Sequence, residues 1–183
     1  MKKILLILLL LTSLYSYEDD VEAKIYTGIS IGYMNESFSD QQDTAHSAEM
    51  LKFKIGYGVR EAYAVEFSLD YIKNETDIFS EEDGDKYGLN VELIKAFDWD
   101  IFINPYFKAG FGAGYFHLKD SQKDSLNYGS FNLGLGFYIP INEHVDIAIG
   151  YDYKYVSYEK LDTIEDDINS FINGGYAGVN VRF

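Results

Sequence analysis

Ionisable side chains recur at even-numbered positions inside alternating stretches of this sequence. Lys24, Lys52, Lys54, Lys86, Lys108, Lys154 and Arg182 share that parity with Glu66, Asp70, Glu92, Asp146 and Asp152. Seven cations against five anions make this set nearly balanced, although the whole chain carries −15. Charges on one face of a sheet attract when opposite signs meet across a ladder. If that face leaves water, each charge requires a partner and hydrogen bonds. Pairing across the short connectors places Lys54 opposite Glu66 and Glu92 opposite Lys108, and the last hairpin places Asp146 opposite Arg182. With Lys52, Asp70, Asp152 and Lys154 these residues form an expected cross-braced charge network with little free water.

Other chemistry-bearing residues carry less. The stretch "GFGAG" at 110–114 has the glycines of a phosphate loop but lies within an alternating segment, with no helix to open. Three histidines, His46, His117 and His144, fall in three separate places. Acid runs occur at Glu81, Glu82, Asp83 and Asp85 and at Glu165, Asp166 and Asp167. They read as solvated, mutually repulsive loop faces. Their oxygen ligands suit a divalent cation, but the spacing matches no EF-hand loop. No catalytic residue, metal site or cofactor is assigned. The acceptor patterns at Asn35 and Asn74 are read as chance.

The acidity excludes nucleic acid, whose phosphates need a basic footprint. No cysteine is present, so disulfides and a lipid-modified cysteine are excluded. The start, "MKKILLILLLLTSLYSYEDD", has a basic n-region at Lys2 and Lys3, an apolar run and then acids. This is a secretory signal-peptide pattern, assigned to residues 1–16, and the domain is expected to span 17–183. No later apolar run has the roughly 20 residues of a spanning helix.

Eight segments of period-two alternation must position the charges: 23–33, 49–59, 62–73, 85–97, 103–118, 128–139, 143–158 and 170–183. Most match or exceed the roughly 9–11 residues with which a tilted strand crosses a bilayer. Short connectors at 58–61, 98–102 and 140–142 alternate with longer polar ones at 34–48, 74–84, 119–127 and 159–169. One end of the sheet therefore carries tight turns and the other polar loops. Odd positions hold Phe53, Ile55, Tyr57, Val59, Phe67, Leu69, Phe137 and Ile149. Even positions of these segments hold the charges and 13 of the 16 glycines. Glycine weakens a water-exposed strand face but makes room in a narrow barrel interior. The apolar face is thus expected to meet lipid, and the small and charged face to fill the lumen. Aromatics near strand ends, Tyr33, Tyr71, Tyr87, Tyr115, Tyr128, Tyr153 and Tyr155 on the loop side, with Tyr63, Phe97, Trp99, Phe102 and Phe183 on the turn side, read as two interfacial girdles.

Together with the closing "YAGVNVRF", these features resemble the small eight-stranded outer-membrane barrels of Gram-negative bacteria, the OmpA-membrane-domain and OmpX-like group. The resemblance implies an all-β, antiparallel up-and-down transmembrane barrel with short periplasmic turns, longer extracellular loops and both termini in the periplasm. It also implies that the outward row Ala177, Val179, Val181 and Phe183 is read by the outer-membrane assembly machinery. No periplasmic domain is expected after the barrel. Expected partners are outer-membrane lipid and lipopolysaccharide; the loop partner is open. A monomer with a structural or surface-interaction role and a closed polar lumen is the leading expectation. A narrow porin-like channel is the alternative, and a lipid-modifying enzyme a weaker one. The lipid A deacylases of this architecture use a His with a Ser two residues on, whereas His117 is followed by Lys119. The segment 17–24 is too short for the amphipathic helix of the barrel palmitoyltransferases.

Overall fold

A computed structural model describes residues 22–39, 46–73, 83–118, 125–160 and 168–183. The expected signal peptide, most of the acid-run residues and Asn74 lie outside these residues. Eight strands follow in order: β1 Lys24–Phe38, β2 His46–Gly58, β3 Tyr63–Lys73, β4 Asp83–Ala96, β5 Asn104–Leu118, β6 Ser125–Pro140, β7 Val145–Tyr158 and β8 Asn169–Arg182. Each pairs antiparallel with its sequence neighbour, and β1 pairs with β8, so the sheet closes. Closure leaves no sheet edge in lipid, where an unpaired N–H or C=O has no water to meet.

The alternation dictates the facing. Phe53, Phe67, Leu69, Leu135 and Ile149 are exposed on the outer wall, while Lys52, Asp70, Glu92, Gly134 and Asp152 point inward. Glycine is required inside by close approach. A Cβ at Gly110 would lie 2.0 Å from the Val91 carbonyl oxygen, so the neighbouring backbone leaves no room for a side chain.

Three sequence expectations change. Strand β1 runs to Phe38, five residues past its expected end. Its last residues keep the alternation, but with Asn35, Glu36 and Ser37 polar on both faces they imitate a loop; pairing with β8 through Phe38↔Ser170 holds them in the sheet. Val59 and Tyr128 do not face lipid. Val59 turns into the β2–β3 connection, its N–H donating to the Tyr63 carbonyl at 2.9 Å. Tyr128, at an even position of β6, packs against the apolar cluster inside the loop-side mouth.

The lumen is also less uniformly polar than expected. Met34, Phe38, Met50, Ile72, Phe116, Leu126, Tyr158 and Ile172 fill its loop-side end. Tyr26, Ile94, Tyr106, Tyr138 and Ala148 fill the turn-side end. Most of the charges occupy the space between and below, while Glu36 and Lys86 pair within the loop-side cluster. Several of the large side chains fit because they lie beside a lumen glycine. Tyr26 lies over Gly56, and Tyr106 and Tyr176 meet at Gly150.

Candidate functional site

All ten residues of the expected charge network are buried in the lumen: Lys52, Lys54, Glu66, Asp70, Glu92, Lys108, Asp146, Asp152, Lys154 and Arg182. From the loop side downward the signs alternate. Lys154 donates to Asp70 and, at 3.2 Å, to the Asn90 side chain. Asp70 also lies 3.8 Å from Lys52. Asp152 Oδ2 then accepts from Lys52 at 2.8 Å and from Lys108 at 3.0 Å, and Lys108 reaches Glu92 at 3.1 Å. Below them Lys54 is 3.9 Å from Glu66, which accepts from the Tyr26 hydroxyl at 2.9 Å. At the turn-side mouth Arg182 donates to Asp146 at 2.6 Å and lies over the Tyr26 ring.

The pairs come together, but not directly across the ladder. Lys54 faces Ser68, while Glu66 faces Gly56. Lys108 faces Ile94, and Arg182 lies one step beyond the Asp146↔Asn180 pair. Each expected register is therefore off by two residues, which keeps every side chain on its face, and the three ion pairs are diagonal. Barrel closure tilts the strands, so lumen side chains meet neighbours above or below their backbone partner. Glu66 and Glu92 are in fact directly opposite, a repulsive arrangement offset by Lys54, Lys108 and Tyr26 around them.

Sequence reasoning missed three members. Glu36 lies inside the loop-side mouth, where it pairs with Lys86 and accepts from Tyr158 at 2.9 Å and Ser170 at 2.6 Å. Its even position was the available signal, hidden by assigning it to a connector. Arg60, in the β2–β3 connection, reaches across the turn-side mouth to Asp146 at 2.8 Å and the Asn142 carbonyl at 2.8 Å. Nothing in its local sequence marks that reach of 82 residues. Tyr26 is invisible to a rule that sends aromatics outward. Among the described residues the buried cations and carboxylates number six each, with Arg60 half-buried beside them, so the acidity of the chain belongs elsewhere.

The remaining candidates do not converge. "GFGAG" lies in β5, its three glycines facing inward against β4 and β6. His117 is exposed near the loop-side end of β5, and His144 is exposed in the connection between β6 and β7 at the other end. Among the described residues no three His, Asp, Glu or Cys side chains are grouped to hold a metal ion. The odd residues Ala177, Val179, Val181 and Phe183 all face outward on the closing strand and the residue after it, and the Phe183 N–H donates to the Ile25 carbonyl at 2.9 Å.

Comparison with known proteins agrees with this geometry. A family model described as "Outer membrane protein beta-barrel domain" matches residues 4–183. Neisserial surface protein A superposes with a TM-score of 0.68 at 18% identity, covering 88% of this chain and 99% of that one. The attachment invasion locus protein Ail of Yersinia pestis superposes with a TM-score of 0.51 at 22% identity, over 86% and 98% of the two chains. At these identities the likeness is one of fold. No curated protein matches the chain. A closed eight-stranded wall, apolar outside and charged within, matched over nearly its whole length, places the chain in the outer-membrane β-barrel family and hence in the bacterial outer membrane.

Proposed function

We propose that the protein is a closed, monomeric barrel with a structural or surface-interaction role, its loops extracellular and both termini periplasmic. One observation carries this reading: the lumen is filled in succession by the apolar loop-side cluster, the alternating charges and the tyrosine layer, with Arg60 across the lower mouth. An ion entering this column would have to separate charges whose alternative partners are already engaged. Purified protein in planar bilayers is expected to give no conductance steps. Stable ohmic steps would instead support a narrow channel.

The loops then meet the outside. Ail of Yersinia pestis has been seen with the heparin analogue sucrose octasulfate, a polyanion. The acid runs at 81–85 and 165–167 argue against such a ligand here and favour a cationic or divalent-bridged partner. No enzymatic role is assigned, since His117 and His144 stand at opposite ends of the barrel without a shared site; turnover of radiolabelled lipid A by purified protein would overturn this. The outward row Ala177, Val179, Val181 and Phe183 is proposed to be read by the outer-membrane assembly machinery.

A further inference from the structure

Arg60 and Arg182 are the two arginines of this chain, and every other cationic side chain is a lysine. Both arginines line one pocket at the turn-side mouth, of about 300 Å³. Lysine supplies a point charge, whereas the planar guanidinium presents a fork of donors that matches an oxyanion two bonds at a time. The carboxylate already beside them, Asp146, does not use either fork. Arg182 gives it one bond, from Nε. Arg60 Nε stands 2.8 Å from Asp146 Oδ1 but is misaligned for a hydrogen bond, and its Nη2 donates to the Asn142 carbonyl. Arg182 is 3% exposed, yet its Nη1 has no hydrogen-bond partner. The guanidinium is not free to turn and find one. Asp146 holds its Nε, and the rings of Tyr26 and Tyr138 lie 4.8 and 5.9 Å from its central carbon. A buried donor without an acceptor is costly, so what this corner of the pocket lacks is an acceptor oxygen.

The pocket is not simply cationic. Lys24 lies beside the arginines, and Glu22, Glu61 and Glu143 line the same space. A phosphate dianion placed on the arginines would meet those three carboxylates at close quarters. A ligand that carries an ammonium as well as a carboxylate meets both signs. The charged groups come from separate parts of the chain. Glu22 and Lys24 stand at the start of β1, Arg60 and Glu61 in the β2–β3 connection, Glu143 in the β6–β7 connection and Arg182 at the end of β8. Closure of the barrel is what brings them to one pocket. The volume is at the low end of the roughly 300–1,000 Å³ of small-molecule pockets, so the ligand is small.

We propose that the turn-side mouth binds a small zwitterion of the amino acid or short-peptide class. Its carboxylate accepts from Arg182 Nη1 and from the Arg60 guanidinium, with Lys24 adding charge, and its ammonium faces Glu22, Glu61 and Glu143. The site lies outside the filled lumen, so it holds whether or not the barrel conducts. Binding also does not depend on which way the barrel is oriented in the membrane.

The test is nitrogen-15 NMR of the full barrel refolded in detergent, at about 0.15 M salt to screen non-specific attraction. With two arginines in the chain, the Nε–Hε region holds one resonance for each, and Arg60→Lys assigns them. The probes are alanine and alanyl-alanine, the N-acetylated and amidated forms of each, and inorganic phosphate. Both resonances are expected to shift saturably with alanine or alanyl-alanine, and the tighter of the two tells a free amino acid from a peptide. Acetylation removes the ammonium and amidation the carboxylate, and each is expected to weaken binding about tenfold, as is replacement by phosphate. Arg182→Gln is expected to weaken it about tenfold, read on the Arg60 resonance. If heat-modifiable gel mobility shows that this variant does not fold, Arg60→Gln is read on the Arg182 resonance instead. Glu22→Gln combined with Glu143→Gln, both at exposed positions, is expected to weaken binding a few-fold without touching the fold. His117→Gln, exposed at the loop-side end, is the control and leaves binding unchanged. No saturable shift with either zwitterion, equal binding of a blocked form or of phosphate, or full affinity in a folded arginine or double glutamine variant would each overturn the proposal.

Discussion

Asp152 holds two lysines with a single oxygen, whereas Glu66 meets one lysine at longer range and a tyrosine hydroxyl. That difference ranks the two sites. Removing one partner from a buried ion pair costs about 3–5 kcal/mol, because the remaining charge stays buried. Asp152→Ala strands both Lys52 and Lys108, each left with a weaker or shared partner. Glu66→Ala strands mainly Lys54, and it also relieves the repulsion with the facing Glu92. Asp152→Ala is therefore expected to lower the urea midpoint of the reconstituted barrel more than Glu66→Ala does. An equal or reversed order would show that the network is not braced through Asp152.

Within a strand, glycine serves two unlike purposes, and β5 and β6 display both. Gly110 stands where the β4 backbone leaves 2.0 Å for a Cβ. An alanine there must push Val91 and Glu92 outward, and overpacking of this kind costs roughly 1–3 kcal/mol. Gly110→Ala is expected to reduce the folded fraction on heat-modifiable gels. Gly129→Ala, with open space around the new methyl group, is expected to leave it unchanged or slightly raised. The opposite result at either position would mean that the lumen packing around β5 differs from that described. The same contrast explains why composition was only a partial guide to facing. Even-position glycines point to a crowded interior, yet Gly129 and Gly175 lie at odd positions of the same sheet.

The molecule closes where β8 meets β1, from Phe38↔Ser170 to Tyr26↔Arg182. Phe183 lies just past this seam, 69% exposed on the outer wall, with its backbone N–H donating to the Ile25 carbonyl. Its ring contributes little to internal packing, so a role in assembly and a role in stability separate cleanly there. Phe183→Ser is expected to lower the amount of protein in outer-membrane fractions while leaving the unfolding midpoint of the refolded barrel unchanged. Normal membrane levels would remove the assembly role, and a fall in the midpoint would replace it with a structural one.

The architecture was legible because a bilayer imposes a strict code. Period-two alternation over segments long enough to span, with short and long connectors in turn, leaves a closed barrel as the only way to satisfy every backbone hydrogen bond in lipid. Parity alone carried each of the ten network residues to the lumen, from Lys52 to Arg182. Three things required the tertiary structure. Strand tilt decided which lysine meets which carboxylate, because tilt is a property of closure and not of any hairpin. Glu36 and Arg60 joined the charges only when distant elements were brought around one axis, Glu36 through β8 pairing and Arg60 through a reach to β7. The layering of the lumen was decided by which glycines lie beside Tyr26, Tyr106 and Tyr176, a neighbour relation across strands that no local pattern records. The sequence by itself determined the wall and its two faces, since alternation is local. The contents of the lumen were decided by the folded barrel, since packing is not.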